Sequence, residues 1–271
     1  MIKVLITGSK GQLGQCFQYC STNYPEILFF YKNSREIDIT NKSAIQNFVE
    51  NQNLNYIINC AAYTNVEQAE KEPQKAYLIN GEGVKNLAEV CKVNDIILIH
   101  ISTDYVFDGS KDTPYTEKDI TNPINHYGKS KLLGEKHILD ILENYYIIRT
   151  SWLYSPYGNN FYTKVKKKVE NGENLRITDA EKGTPTNGIN LAHFILKIID
   201  NGIKNFGIYH FSDGNVLTWF DFAIEILKKD GEKFHNLKLE KTNFYPTVAK
   251  RPIYSALSTK KSNKLLELYP D

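Results

Sequence analysis

The chain has 271 residues, and its 41% hydrophobic and 24% charged residues are ordinary for a folded globular protein and exclude a low-complexity chain. Its net charge of +2 gives no reason to expect nucleic acid or a membrane surface as a partner. Neither a Cys-x-x-Cys pair nor a histidine cluster occurs in the sequence, so no metal site is expected. Because we find no signal peptide and no run long enough to span a bilayer, we expect a cytoplasmic protein.

Short apolar runs alternate with amphipathic segments along the first two-thirds of the chain. Helical spacing is clear in 41–52, where Ile45, Phe48 and Val49 share a face, and again in 83–94. The strand-like runs are 3–7, 26–31, 56–62, 96–102 and 145–152. Continuous apolar strands separated by helices indicate a parallel sheet covered on both faces. We therefore predict an α/β fold with a Rossmann-like, doubly wound parallel sheet.

The later part of the chain is less regular. The basic run "KVKKKVENG" at 164–172 predicts the solvated face of an amphipathic helix. Two further helices are expected over 189–202 and 217–231, with a strand over 207–212 between them. The pattern predicts a Rossmann domain and a smaller, mainly C-terminal substrate-binding lobe. Their predicted bounds are 1–152 plus about 187–215 for the first, and about 153–186 and 216–271 for the second.

The first strand runs directly into the glycine-rich stretch "TGSKGQLG". Gly8, Gly11 and Gly14 are spaced three residues apart, between a strand and a helix. Glycines at such a turn let the backbone approach a pyrophosphate, whose charge is stabilised by the N-terminus of the following helix. This context predicts a dinucleotide cofactor.

The end of the second strand indicates which nicotinamide dinucleotide fits. An acidic residue there would bind the ribose 2′-hydroxyl and repel a 2′-phosphate. The residues at this position are instead Lys32, Asn33, Ser34 and Arg35. This composition favours NADP(H), with NAD(H) also possible, while a simple solvated turn remains the alternative. Asp38, slightly further on, is expected nearer the adenine than the ribose.

Polar residues follow the fourth strand, and a tyrosine–lysine pair follows them. Thr103 and Asp104 fall at the carboxyl end of the strand, where active residues of open α/β sheets lie. Tyr127 and Lys131 are four residues apart, so they share one helix face. A hydroxyl, a phenol and an ammonium would thus meet at one edge of the sheet.

This combination suits the reduction of a ketone, which needs a hydride and a proton for the developing alkoxide. A phenol is a poor proton donor near neutral pH unless its environment is tuned. We expect the cationic Lys131 to lower the pKa of Tyr127, and Thr103 to hold the carbonyl oxygen. Asn80 is a candidate for supporting a proton relay behind the lysine, with a structural turn as an equal alternative.

Seven fragments in order along the chain resemble the extended short-chain dehydrogenase/reductases and, more narrowly, the dTDP-4-dehydrorhamnose reductase family. These fragments are "GQLG" (11–14), "NCAAYTNVEQAE" (59–70), "STDYVFDG" (102–109), "YGKSKLLGE" (127–135), "RTSWLY" (149–154), "GTPT" (183–186) and "RPIYSAL" (251–257). Because they span nearly the whole chain, the resemblance is global.

The resemblance implies NADPH-dependent reduction at C4 of dTDP-4-dehydro-L-rhamnose, giving dTDP-L-rhamnose. Tyr127 would donate the proton, Lys131 would bind the nicotinamide ribose and tune Tyr127, and Thr103 would orient the keto sugar. The implied cofactor contacts include Gly11, Gln12, Leu13, Asp38, Ile39, Ala61, Ala62, Tyr63 and Thr64. The substrate-side candidates are Thr103, Asp104, Tyr105, Trp152, Asn160, Phe161, Thr184, Thr186 and Arg251.

The sequence also departs from the family and leaves alternatives open. Some members carry a glutamate after the glycine loop that contributes to a metal site between subunits, whereas Gln15 and Cys16 stand here. A metal-free homodimer is still compatible with the sequence. Tyr105 after Asp104 leaves the acidic pair of the related dehydratases incomplete. The remaining alternatives are a reductase or epimerase for another nucleotide 4-keto-6-deoxy sugar, and a non-catalytic subunit similar to the β subunit of methionine adenosyltransferase.

Overall fold

A six-stranded parallel sheet lies at the centre of the computed structural model, which describes residues 1–229, 238–242 and 246–268. The strands are β1 (Ile2–Thr7), β2 (Ile27–Lys32), β3 (Tyr56–Asn59), β4 (Ile97–Thr103), β5 (Tyr145–Thr150), β6 (Leu153–Tyr154), β7 (Leu175–Thr178), β8 (Lys182–Gly183), β9 (Thr186–Asn187), β10 (Gly207–Phe211), β11 (Leu217–Thr218) and β12 (Leu239–Thr242). The order across the central sheet is β10-β5-β4-β3-β1-β2, and every neighbouring pair is parallel. The chain leaves β1 first to one side and then to the other, so the predicted doubly wound α/β fold is confirmed.

Helices cover both faces of this sheet. They are α1 (Gln12–Cys20), α2 (Lys42–Glu50), α3 (Val66–Lys71), α4 (Pro73–Tyr77), α5 (Gly83–Val93), α6 (His126–Ile141), α7 (Phe161–Glu170), α8 (Gly188–Asp200), α9 (Trp219–Lys229) and α10 (Lys260–Leu268). Helices α1 and α8 pack together over one hydrophobic core, and α2, α5 and α6 enclose a second core on the opposite face. The apolar stripes predicted from the sequence therefore face the sheet.

Two of the predicted strands end earlier than the sequence suggested. The run 56–62 is a strand only as far as Asn59, and the run 145–152 only as far as Thr150. The Asn59 side chain accepts a hydrogen bond from the Ala61 backbone N–H, which turns the chain out of the sheet. Trp152 adopts a φ of 47°, a left-handed conformation that no strand can contain. Both deviations lie at the carboxyl edge of the sheet, where the candidate site is located.

A third hydrophobic core lies outside the central sheet. Val165 and Val169 of α7 pack with Leu175 of β7 and with Phe222 and Ile226 of α9. Strand β12 pairs with β7 beside them. The lysines of α7 lie around this apolar stripe, as the amphipathic pattern predicted. Residues 230–237, 243–245 and 269–271 of the predicted lobe lie outside the described residues.

Residues 248–258, which we call the closing segment, connect distant parts of the molecule. The backbone N–H of Val248 donates to Glu67 in α3, and the Lys250 carbonyl accepts from Asn125 immediately before α6. Further along, Tyr115 and Lys182 each exchange two backbone hydrogen bonds with this segment. The closing segment thus joins the sheet-covering helices to the elements around the third core.

No helix within the described part of the chain is both long enough and apolar enough to cross a membrane.

Candidate active site

A cavity of about 610 Å³ opens at the carboxyl edge of the sheet, between the glycine loop, the end of β4, helix α6 and the start of α7. About half of the residues that the sequence placed in a site line it together. These are Gly11, Gln12, Leu13, Ala62, Thr64, Thr103, Asp104, Tyr105, Tyr127, Lys131, Trp152, Asn160 and Phe161. The folded chain therefore brings predicted cofactor, catalytic and sugar-binding residues to one space.

The glycine loop forms a cradle that larger residues would fill. Gly8 has a φ of 63°, and a Cβ on it would lie 2.6 Å from the Ala61 backbone nitrogen. A Cβ on Gly14 would lie 2.6 Å from Ser9, so α1 starts close against the loop. Gln12, in the first turn of α1, has a buried Nε2 with no hydrogen-bond partner anywhere in the described residues. The glycines let a ligand come close to the backbone, and the Gln12 amide offers a free hydrogen-bond donor at a helix N-terminus. Both features fit the pyrophosphate of a dinucleotide.

Residues 32–35, whose composition bears on the choice between NADP(H) and NAD(H), form a turn beside this loop and do not line the cavity. The Ser9 backbone N–H donates to the Lys32 carbonyl, which fixes the turn against the glycine loop. Glu36, which the sequence reading did not consider, pairs with Lys32 at 3.6 Å and accepts from the Asn33 backbone. This backbone hydrogen bond lowers the pKa of Glu36. The turn thus contains an acid among its cations, a mixed character that weakens the argument from Lys32 to Arg35 for NADP(H).

Helix α6 lies unusually close to the chain segments around it. Asn125 caps its N-terminus by accepting from the Gly128 backbone N–H at 2.8 Å. A Cβ on Gly128 would lie 2.1 Å from the Tyr105 carbonyl oxygen, and one on Gly134 would lie 2.3 Å from the Asn80 carbonyl oxygen. The two glycines beside the tyrosine–lysine pair therefore allow α6 to pack closely against the Tyr105 and Asn80 backbone.

Tyr127 has an environment that differs from the expected one. Burial raises the pKa of Tyr127 to about 12, a hydrogen bond with Thr103 acts in the lowering direction, and the charge of Asp104 raises it. The expectation that Lys131 would lower the pKa of Tyr127 is not met in the free chain. The reason is geometric, because the Lys131 ammonium is directed at the backbone carbonyl of Ile101, 2.6 Å away.

Lys131 is buried at the base of the cavity and has a second close neighbour. Its Nζ lies 3.3 Å from His100 Nε2, on the adjacent strand β4. Burial lowers the pKa of Lys131 to about 8, while Glu135 and Cys60 act in the raising direction. Asn80 does not contact this lysine through its amide, which instead bonds both backbone groups of Tyr63 and the Ser130 hydroxyl. These bonds match the turn role that the sequence left open for Asn80.

Asp104 is almost fully buried next to the proposed proton donor. The Thr103 hydroxyl donates to its Oδ1 at 3.0 Å. Burial raises the pKa of Asp104 to about 7, although hydrogen bonds from Ser255 and Thr103 act in the lowering direction. A carboxyl group with this pKa is partly protonated near neutral pH and can donate or accept a hydrogen bond.

A buried ion pair holds α6 against the sheet behind these groups. The Arg149 guanidinium on β5 donates through Nη2 to Glu135 Oε2 at 2.6 Å and through Nε to Oε1 at 3.0 Å. The Ser102 hydroxyl donates to the same carboxylate. Because Glu135 follows Lys131 by one helical turn, this pairing fixes the helix face that carries Tyr127 and Lys131.

The opposite wall of the cavity is aromatic. The Trp152 and Trp219 rings stack at 3.6 Å with an interplanar angle of 6°, and Phe161 lies 4.7 Å from Trp219. Gly183 backs Trp152, since a Cβ there would lie 2.5 Å from the indole. The Trp219 indole N–H donates to Glu181 at 2.8 Å. A stacked indole face of this kind suits the apolar surface of a deoxysugar.

A second cavity, of about 310 Å³, continues past Trp219 and Phe161. Arg251 lines it, together with Lys164, Lys168 and Arg176. Arg251 donates to Glu67 at 2.8 Å, while its buried Nε has no hydrogen-bond partner among the described residues. A basic cavity with an unused guanidinium donor fits a diphosphate group.

Some predicted site residues have other roles in the folded chain. Thr184 bonds Ser151, Thr186 bonds Thr150, and neither is among the described residues that line the two cavities. Asn160 lines the large cavity, but its side chain caps α7 by accepting from the Thr163 backbone N–H. The two threonines therefore stabilise the backbone behind the cavity and do not form part of its surface.

Sequence reasoning missed several residues that the cavities contain. Trp219 was assigned only to an aromatic helix, and Lys164 and Lys168 only to a solvated helix face. These two lysines are four residues apart and therefore share one helix face, and this spacing is the feature of the sequence that could have indicated a common basic site. His100 lies next to Lys131 because of the way the strands are aligned in the sheet, and the sequence does not reveal this alignment. No group of three or more histidine, cysteine, aspartate or glutamate side chains among the described residues could hold a metal ion.

Comparisons with known proteins agree with this geometry. The family described as "RmlD substrate binding domain" matches residues 2–270. A dTDP-4-dehydrorhamnose reductase from Aggregatibacter actinomycetemcomitans is 37% identical over 279 residues, covering 100% of this chain and 95% of that protein. A dTDP-4-keto-6-deoxy-D-glucose reductase from Streptomyces niveus is 36% identical over 222 residues, covering 81% of this chain and 75% of that protein. The crystal structure of dTDP-4-dehydrorhamnose reductase from Bacillus anthracis, in complex with NADP, has 35% identity and a TM-score of 0.92, covering 99% of this chain and 93% of that one.

Proposed function

The chain belongs to the RmlD substrate binding domain family, and we propose that it reduces dTDP-4-dehydro-L-rhamnose to dTDP-L-rhamnose with NADPH. It is an NAD(P)H-dependent oxidoreductase of the dTDP-4-dehydrorhamnose reductase type. The observation that carries the proposal is the meeting of Thr103, Tyr127 and Lys131 with stacked tryptophans in one cavity.

The glycine loop would hold the pyrophosphate of the cofactor. Gly8 and Gly14 leave room for it, and Gln12 offers a buried amide donor at the N-terminus of α1. When bound, the nicotinamide would supply the hydride for the sugar carbon. The related Bacillus anthracis enzyme was crystallised with NADP, and this supports NADPH more than the turn at Lys32 does, because Glu36 pairs with that lysine.

Tyr127 would donate the proton that the developing alkoxide needs. A phenol with a pKa of about 12 keeps its proton at neutral pH, so it is present in the donating form. Thr103 and Asp104 would hydrogen-bond the sugar oxygens beside it, since both line the cavity and bond each other. Lys131 would orient the cofactor ribose, and in its ammonium form its positive charge would favour the phenolate of Tyr127.

The nucleotide part of the substrate would extend into the basic cavity. Arg251, Lys164 and Lys168 would bind the diphosphate, while Trp152 and Trp219 would contact the deoxysugar. On this proposal the substrate-binding lobe, at about 153–186 and 216–271, provides the walls of the second cavity. The substrate would then span both cavities, with C4 near Tyr127.

The test is loss of reduced-nicotinamide absorbance with dTDP-4-dehydro-L-rhamnose, run in parallel with NADPH and NADH. Tyr127→Phe should lower the rate about 10²–10⁴-fold, the usual contribution of a positioned proton donor. Tyr209→Phe is a matched control, because the Tyr209 hydroxyl bonds the Asn205 carbonyl at the far edge of the sheet. Full activity of Tyr127→Phe would contradict the proton-donor role. A faster reaction with NADH would contradict the preference for NADPH.

A second candidate is the reduction of a different dTDP-4-keto-6-deoxy sugar. The similarity to the Streptomyces niveus reductase favours this alternative, because the name of that enzyme specifies a keto sugar of the gluco series. The same assay with dTDP-4-keto-6-deoxy-D-glucose distinguishes the two, and the substrate with the higher kcat/KM identifies the function.

A further inference from the structure

A histidine, His100, lies directly beneath Lys131, the lysine proposed to act with Tyr127. His100 is fully buried in β4, where it is the cross-strand neighbour of Asn59 in β3. Its Nε2 lies 3.3 Å from Lys131 Nζ, and its Nδ1 lies 3.0 Å from Asn59 Nδ2. Which of these imidazole nitrogens carries the proton decides what Lys131 faces.

The Asn59 amide determines that proton position. Its Oδ1 accepts from the Ala61 backbone N–H at 3.2 Å and from the Thr7 hydroxyl at 2.7 Å. A backbone N–H can only donate, so the oxygen of the amide must point toward Ala61 and the NH₂ group toward His100. His100 Nδ1 is therefore an acceptor, and the single proton of the neutral imidazole is on Nε2.

This tautomer directs an N–H group at Lys131. An ammonium has three donors and no lone pair, so it would meet the Nε2–H in an unfavourable contact. A neutral amine could accept from Nε2–H, donate to the Ile101 carbonyl, and still present one N–H to the cavity. We propose that His100 is a positioning residue whose Nε2–H favours the neutral amine of Lys131 over the ammonium, which makes that ammonium a readier proton donor.

Two other ionisable groups near Lys131 act in the opposite direction. Glu135, one turn further along α6, and Cys60, after β3, both favour the ammonium, and Glu135 is already paired with Arg149. Burial, followed by the charge of Lys131, holds the pKa of His100 well below its usual value, so the imidazole itself stays neutral. A neutral imidazole with a fixed tautomer is what this arrangement requires.

The role of Lys131 as a proton donor to Tyr127 rests on the proposed function. In each turnover Tyr127 loses its proton to the alkoxide, and the phenolate must regain a proton before the next. Lys131 lines the same cavity, and an ammonium that gives up its proton near neutral pH can supply one and be reprotonated from solvent. A lysine with an ordinary pKa would hold its proton too tightly for this task.

The tautomer is tested on the free protein, without substrate. Long-range ¹H–¹⁵N correlation spectra of the ¹⁵N-labelled chain distinguish the two neutral forms, and the spectrum of His100→Asn identifies the signal among the six histidines. We expect neutral Nε2–H at His100 between about pH 6 and 8. A proton on Nδ1, or a doubly protonated ring in this range, would overturn the proposal even if sugar reduction is confirmed.

The effect on Lys131 is tested by the pH dependence of kcat/KM. His100→Asn keeps a short acceptor for the Asn59 amide but removes the N–H facing Lys131, so the alkaline limb should move up by about one pH unit. Ile147→Val is the matched control, because Ile147 is the β5 neighbour of His100 and its truncation leaves the imidazole intact. The control should leave the limb in place.

An unmoved limb in His100→Asn, or an equal shift in Ile147→Val, would overturn the proposal. Failure of the wild-type chain to reduce any keto sugar would instead refute the proposed function, and the tautomer measurement would still decide the arrangement of His100.

Discussion

Replacing Asp104 by asparagine should change the pH dependence of folding stability. Burial raises the pKa of this carboxyl from its ordinary 3.8 to about 7. Between these two values the folded chain holds a proton that the unfolded chain has released, so a rise in pH weakens folding. The stability that Asp104 confers is thus present below about pH 4 and is lost as the pH approaches 7. Asparagine cannot ionise, so the variant lacks this loss.

The magnitude follows from the size of the pKa change. At about 1.4 kcal/mol for each pH unit, the interval from 3.8 to about 7 corresponds to at most about 4 kcal/mol. The advantage of Asp104→Asn over the wild type should therefore grow by up to about 4 kcal/mol between pH 4 and 7 and remain constant above. Other ionisable groups cancel, because they are present in both proteins.

Urea unfolding followed by tryptophan fluorescence at several pH values from 4.5 to 8 measures this difference. Asp108→Asn is the control, because hydrogen bonds from the Ser110 backbone and hydroxyl lower the pKa of Asp108 to about 2. That carboxyl is ionised in both states above pH 4.5, so its variant should differ from the wild type by a constant. A constant difference for Asp104→Asn as well would refute the assignment of a raised pKa to Asp104.

Two further substitutions test the contacts that fix α6 against the rest of the molecule. Gly128→Ala would bring a Cβ to 2.1 Å from the Tyr105 carbonyl oxygen, and we expect a loss of about 3 kcal/mol or more in the free energy of unfolding. A thermal midpoint equal to that of the wild type would contradict this close approach. Arg149→Met leaves the buried Glu135 carboxylate unpaired and should cost about 3–5 kcal/mol. Combining it with Glu135→Leu should restore most of that loss, as measured by urea unfolding, whereas an additive loss would contradict the pairing.

The parts of the site that could be predicted from the sequence are those formed by residues close together in the chain. The glycine spacing before α1 and the four-residue spacing of Tyr127 and Lys131 depend on one turn and one helix, so the sequence carries them directly. The resemblance to a known family added Trp152 and Arg251, which no local pattern distinguishes from a core indole or a surface guanidinium. Both line cavities in the folded chain.

The remaining features depend on which strands are neighbours. Thr7, Asn59 and His100 stand in register on β1, β3 and β4, and each residue alone reads as an ordinary polar residue near a strand end. Strand β3 ends early because of the Asn59 side chain, not because of its apolar pattern. Trp219, the first residue of α9, stacks on Trp152, which follows β5, and only the folded chain brings these two rings together. Burial also reversed the expected direction of the pKa of Tyr127.

The closing segment has a consequence for the order in which the protein can be completed during synthesis. Strands β1 to β5 and helix α6 are all made before residue 151, so α6 can pack against five of the six strands of the central sheet before β10 is made. Glu67, Asn125 and Tyr115 nevertheless each have a hydrogen-bond partner in residues 248–258. A nascent chain can therefore form five strands of its central sheet early, but the end of α6 that carries Tyr127 gains its contacts with the closing segment only after residues 248–258 have been synthesised.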